Sequence, residues 1–411
     1  MSRGRRVERP KKPPPARATK PSVPAAAPPA PEAPPPAPPP ASAVELLPGD
    51  PAPWFKARWN DRPGASDFSL AAGRPVLLCF LGSAGDAARR ATVEALLRTC
   101  PIAQTGSALF VVTIDPGDEA RIRPNPPAFH VFWDFDRAVS RLFGATDTVE
   151  GDAVRYTSFT LLLDPGLRVV ARVPFSTPEA HAAELAAALQ RLPPVDQHAG
   201  VPLHAPVLIV PGVFEPAFCA ELVTFCSRRQ GADSGTMNDI DGQTALRIDH
   251  KFKQRLDFPI EDPAMREALR TRIERRLFPA IQRAFQFKAT RLERYLVSCY
   301  EGAVGGHFNA HRDDNAIGTA HRRFAVTLNL NYGSYEGGDL RFPEFGTRTY
   351  AAPTGGAVVF SCALMHEATP VRKGKRYAFL PFLHDEAAHQ EWLENRKFLS
   401  PDVRRRLVEI D

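Results

Sequence analysis

This 411-residue chain contains no stretch approaching the roughly 20 consecutive apolar residues that a membrane span requires. Its first 45 residues also lack the apolar run of a signal peptide. The expectation is a cytoplasmic protein that does not engage a membrane. Cysteine is sparse: six residues, Cys79, Cys100, Cys219, Cys226, Cys299 and Cys362, lie scattered in apolar sequence with no CxxC pair. That spacing argues against a disulfide scaffold, and the thiols read as reduced and buried. Unbalanced charge is scarce outside the N-terminal tail. Of the net charge of +6, residues 1–47 carry five, from eight Lys or Arg against three acids, so the remainder is close to neutral. Nucleic-acid binding by the folded part therefore has no support from charge.

The composition, 44% hydrophobic and 24% charged, is that of a globular protein, and the length suits two domains. Residues 1–46 hold proline and alanine runs such as Pro34-Pro35-Pro36, which offer neither backbone donors nor much apolar surface, so a disordered basic tail is expected. From 47 to 195 short apolar strands (76–81, 108–114, 160–163) alternate with helical stretches (87–98, 178–192), a pattern that predicts an α/β layer domain. Thr177 is placed to cap the last helix, with Pro178 at its first position. The second domain, 203–390, opens with a strand at 207–210 and helices at 216–229 and 263–285. It then turns to strands at 292–300, 323–332, 338–342, 356–360 and 376–383. Helices followed by many strands predict a mainly-β double sheet of the jelly-roll type with flanking helices. Residues 391–411 read as a helical extension.

The residues that carry chemistry lie in this second domain. His311 and Asp313 are two positions apart, and in extended chain such residues share a face. A third ligand from a neighbouring strand would complete a facial triad, as in non-haem iron oxygenases. His366, at the end of an apolar strand, is the candidate. Ten residues later, Arg376 begins another apolar strand. A buried guanidinium is costly unless it meets an anion, and its fork suits a carboxylate.

His311-x-Asp313, His366 and Arg376, with Leu328-Asn329-Leu330-Asn331 and 336–342 (Glu-Gly-Gly-Asp-Leu-Arg-Phe), resemble the 2-oxoglutarate and iron(II)-dependent dioxygenase superfamily, nearest its prolyl 4-hydroxylase branch. The resemblance spans about 205–385. It implies a double-stranded β-helix, iron(II) held by His311, Asp313 and His366, and 2-oxoglutarate held by Arg376, with Tyr300 lining the cosubstrate pocket. Dioxygen, and ascorbate as an accessory reductant, come with it. So does hydroxylation of a C–H bond with release of succinate and carbon dioxide. The substrate is expected to be a prolyl or other residue of a protein or peptide, with a free amino acid or small metabolite as the alternative. Asn329 stands where the branch commonly carries an aromatic or Thr facing the cosubstrate, and is expected in the cosubstrate pocket, where its amide could hydrogen-bond a carboxylate. Phe382 stands where nucleic-acid demethylases carry a second Arg, which disfavours nucleic-acid repair. His307, His321 and His384 are expected at the surface or behind the ligands.

Residues 48–55 (Pro-Gly-Asp-Pro-Ala-Pro-Trp-Phe), 74–80 and 161–170 resemble the peroxiredoxin family of the thioredoxin fold, over about 47–192. Active members carry a peroxidatic Cys at the start of the helix after the first central strand, where the helix N-terminus lowers its pKa. Here that turn, 82–88, has none. A degenerate domain is expected, with a thiol redox enzyme or sensor centred on Cys79 or Cys100 as the rival function.

Overall fold

The uninterrupted apolar runs of the first half become the centre of a seven-stranded sheet. The computed structural model of the chain describes residues 46–60, 64–148, 154–197, 200–240 and 242–408; the expected basic tail lies, up to residue 45, outside the described residues. Strand order is Ala65–Asp67, Lys56–Trp59, Phe129–Trp133, Ala108–Thr113, Val76–Gly82, Phe159–Leu163, Val169–Pro174. The three central strands are parallel and the flanking pairs antiparallel. Val76–Gly82 is buried at every position, covered on both faces, which is why it reads as a continuous apolar run. Leu77, Cys79 and Leu81 face the helices Ala87–Thr99 and Pro178–Gln190. Asp86 caps the first by accepting from the amides of Ala88 and Arg89, and Thr177 caps the second. Val76, Leu78 and Phe80 point to the opposite face, into a second cluster with Phe68, Phe143 and, from far along the chain, Met365. The arrangement is thioredoxin-like.

The second half folds as two antiparallel sheets, a double-stranded β-helix. The larger runs Leu208–Val210, Ala357–Ser361, Phe324–Asn329, Lys375–Phe379, Leu296–Glu301, Leu256–Pro259, Ala232–Asp233, with Arg291–Glu293 and Phe382–His384 attached. The smaller runs Lys253–Gln254, His307–His311, His366–Ala368, Leu340–Arg341, Thr349–Tyr350. Helices Pro216–Ser227, Pro263–Arg272 and Phe278–Phe285 bury Leu222, Leu269 and Ile281 against the larger sheet.

Several elements differ from their sequence expectation for identifiable reasons. The helix expected over 263–285 is interrupted by a π-helical turn, Ile273–Leu277. Pro279 has no N–H to give the preceding turn and its ring crowds it, and widening the helix upstream relieves both. The strand expected over 292–300 breaks where Arg294 takes a left-handed φ of 71°. The strand expected over 376–383 breaks at Leu380-Pro381, where proline cannot donate to the ladder. His366 does not end the preceding apolar strand. That strand stops at Ser361, and His366 opens a strand of its own in the other sheet. The C-terminal helical region begins at Glu386.

Candidate metal centre and adjoining pockets

His311 closes the strand His307–His311 and His366 opens His366–Ala368; the two are cross-strand partners, with ring centroids 4.3 Å apart. Asp313 lies just past the first strand, its amide donating to the Cys362 carbonyl at 3.0 Å. Its carboxylate oxygens stand 3.5 Å from His311 Nε2 and 3.3 Å from His366 Nε2. One ligand atom from each residue lies within 4.8 Å of the others.

Hydrogen bonding fixes which nitrogens face inward. His311 Nδ1 lies 2.8 Å from the Asn309 carbonyl and His366 Nδ1 3.0 Å from the Leu364 carbonyl. A carbonyl can only accept, so each Nδ1 carries the proton and each neutral Nε2 turns a lone pair toward Asp313. Burial and the neighbouring His311 push His366 down to about 4. The set is thus two lone pairs and an anion converging without a donor. It fits a divalent cation of the two-histidine, one-carboxylate kind. Phe308 stacks on His311 at 3.5 Å and Phe360 meets His366 edge-on at 4.5 Å, which fixes the rings and keeps water away.

Behind the triad a small pocket leads to Arg376, which is 2% exposed. Arg376 is the cross-strand partner of Tyr300, and its guanidinium lies 5.0 Å over that ring. Among the described residues no carboxylate lies within ion-pair distance of it. Asn329, the sequence candidate for the pocket wall, instead accepts a long hydrogen bond from Arg376 (3.4 Å) and donates to the Ala352 carbonyl (2.7 Å). Thr327, two residues earlier on the same face of the strand, lines the pocket.

Sequence reasoning missed Lys253, Arg255 and Arg294. Arg255 pairs with Asp257 at 2.8 Å and donates to the Tyr300 hydroxyl at 3.2 Å. Lys253, 5% exposed, gives one N–H to the Gly235 carbonyl at 2.7 Å and sits 4.4 Å over the Phe308 ring. The available signal was the alternation of charges at 253, 255 and 257, which in a strand puts all three on one face. Lys253 and Arg294, with His311 and Asp313, line a cleft of about 420 Å³ rimmed by Leu70 and Met237. His321 and His384, expected at the surface or behind the ligands, are buried with Glu293 in a separate cluster; His321 Nε2 lies 3.0 Å from its carboxylate.

In the first domain the turn at 82–88 is held by two acids that follow the strand Ala108–Thr113. Ser83 donates to Asp115 at 2.6 Å and the Ala84 amide to Asp118 at 2.8 Å. Cys79 is fully buried, which pushes its thiol up to about 12, and burial takes Cys100 to about 11. Neither is poised as a thiolate.

Residues 295–384 match the 2OG-Fe(II) oxygenase superfamily. The chain is similar to a PKHD-type hydroxylase of Synechococcus sp. (strain JA-2-3B'a(2-13)), 27% identical over 117 residues, covering 26% of this chain and 51% of that protein. The chain thus spans about half the length of the curated relatives it matches. Among solved structures, a Pseudomonas putida prolyl-4-hydroxylase aligns with 20% identity and a TM-score of 0.34, over 47% of this chain and 97% of that one. Peroxidoxin BcpB of Mycobacterium tuberculosis aligns with 19% identity and a TM-score of 0.30, over 36% and 99%.

Proposed function

We propose that the chain is an iron(II)- and 2-oxoglutarate-dependent dioxygenase that hydroxylates a C–H bond of a prolyl or other protein residue. The reading assigns the dioxygenase domain to 203–390, the peroxiredoxin-like domain to 47–195 and a helical extension to 391–411. The observation that carries it is the triad of two imidazoles and a carboxylate beside a buried guanidinium that has no carboxylate within ion-pair distance among the described residues. His311, Asp313 and His366 would hold iron(II), and Arg376 would take the distal carboxylate of 2-oxoglutarate through its fork. Tyr300 lines that pocket, and Asn329 steadies the guanidinium from behind. Bound together, the metal and cosubstrate would supply the chemistry, an oxidative decarboxylation in which one atom of dioxygen enters succinate and the other the hydroxylated C–H bond, with release of carbon dioxide. The protein's share is geometry and dryness: Phe308 and Phe360 lock the imidazoles, and the cleft presents the substrate on the open side. The hydroxylase name of the curated relatives supports this class of reaction. A free amino acid or small metabolite is the second reading, favoured by a cleft whose volume lies in the range of small-molecule sites.

The test is succinate release from 2-oxoglutarate by the purified protein with iron(II) and ascorbate, beside a variant carrying His311→Ala and Asp313→Ala. Turnover that disappears in the variant is expected. No turnover, together with no binding of iron(II) or 2-oxoglutarate by the intact protein, would overturn the reading.

A further inference from the structure

Three residues adjacent to the candidate ligands, Ala310, Arg312 and Met365, contact the thioredoxin-like domain. Extended chain sends successive side chains to opposite sides. His311 and Asp313 turn inward, so Ala310 and Arg312 turn outward; His366 turns inward and Met365 outward. Ala310 and Met365 pack into the cluster formed by Phe68, Ala71, Ala72 and the first-domain sheet, with Met365 2% exposed. Arg312, 4% exposed, donates from Nε to the Ser69 hydroxyl at 3.0 Å and from Nη2 to the Ser69 carbonyl at 3.1 Å. Its guanidinium lies 4.5 Å over Trp54. Its fork also grips Glu344 at 3.0 and 3.2 Å, and Glu344 in turn accepts from the Met365 amide at 2.9 Å. One more bond runs from Arg312 to the Ala363 carbonyl. A single side chain thereby joins the segment bearing His311 and Asp313, the segment bearing His366, and the first domain.

We propose that the thioredoxin-like domain serves as a brace for the metal centre, and that Arg312 is the positioning residue through which it acts. The larger β-sheet is backed by its own helices, while the smaller sheet, which carries both histidines, is backed at its ligand-bearing segments by the other domain. The degenerate turn at 82–88 accords with this: the domain keeps the packing face that the brace needs and lacks the thiol chemistry that it does not. Residues supporting metal ligands from behind commonly govern affinity as strongly as tenfold to a hundredfold.

The proposal rests on the reading of His311, Asp313 and His366 as ligands, and one experiment separates the two. Co(II) is titrated into the full-length wild type and into Arg312→Met, Arg312→Lys and Ser69→Ala, read by visible absorption, with the fold of each metal-free protein checked by circular dichroism. Arg312→Met is expected to bind Co(II) at least about tenfold more weakly, with an altered spectrum. Lysine keeps the charge but not the fork, so Arg312→Lys does not restore binding. Ser69→Ala, from the other domain, shifts affinity the same way by less. A folded Arg312→Met with wild-type affinity and spectrum overturns the brace and leaves the ligand reading standing. A wild type that binds no Co(II) overturns both. Where Arg312→Met does not fold, a folded Ser69→Ala, Trp54→Leu variant decides, and unchanged affinity there overturns the brace.

Discussion

Lys253 places its amino group in the wall of the cleft, buried, with a single carbonyl acceptor and no carboxylate within ion-pair distance among the described residues. Burial and the neighbouring Arg255 lower its pKa well below the usual lysine value. An amine held this way, with donors left unpaired and its charged form opposed by burial, destabilises the fold. Lys253→Met is therefore expected to raise the unfolding free energy by about 1–3 kcal/mol in urea titration, and a variant less stable than wild type would refute that account. Arg376 is a buried cation of another character, placed in a pocket beside the triad. Arg376→Met is expected to cost about 2 kcal/mol or more of cosubstrate binding, a rise of roughly thirtyfold or more in KM for 2-oxoglutarate. His384 sits buried, and neither ring nitrogen is hydrogen-bonded among the described residues. Burial is the main cause that takes it from 6.5 down to about 4. Between those values the unfolded chain binds a proton that the folded site refuses, so stability falls as pH drops from 6.5 toward 4. The loss is on the order of 2 kcal/mol. Comparing wild type with His384→Leu at pH 7 and pH 4.5 checks it, since the variant lacks this component.

At the scale of elements, the strands and helices whose burial is uniform or whose caps are local were legible in the sequence. Val76–Gly82, Ala108–Thr113 and Pro178–Gln190 fall within two residues of expectation because a continuous apolar run, or Thr177 followed by Pro178, says what is needed without distant information. The two-residue spacing of His311 and Asp313 also transmitted their shared direction. What the sequence hid was decided across the fold. Nothing local shows that the chain changes sheets between Ser361 and His366, or that Thr327 and not Asn329 lines the pocket. The burial of Lys253 and Arg255 depends on strands 40 and more residues away. Gly73 is an element-level joint of the same hidden kind. Its φ is +85°, and a Cβ there would stand 2.4 Å from Pro343 Cβ and 3.1 Å from Met365 Cε. Gly73→Ala is expected to destabilise by about 2 kcal/mol or more through strain and overpacking, measured as a lowered denaturation midpoint.

Across the whole molecule, the two sheets do not have wholly separate interiors. Met365, one residue from a candidate ligand, belongs to the same buried cluster as Phe68, Phe110 and Phe132 of the first domain. Lys56, on an edge-side strand of that domain, donates to the Asn315 carbonyl and lies 3.7 Å from Asp239. Interfaces between domains of one chain are commonly polar and loosely coupled, and such domains melt separately. Here a buried apolar side chain and a forked guanidinium cross the boundary, so unfolding either domain leaves Arg312 and Met365 of the other without partners. The expected outcome in calorimetry is one cooperative transition for residues of both domains. Phe68→Ala, about 3–5 kcal/mol of lost core packing in the first domain, should lower that single midpoint and weaken Co(II) binding at the distant triad along with it. Two resolved transitions, with only the first displaced by Phe68→Ala and Co(II) affinity unchanged, would mean that the domains are joined in sequence alone.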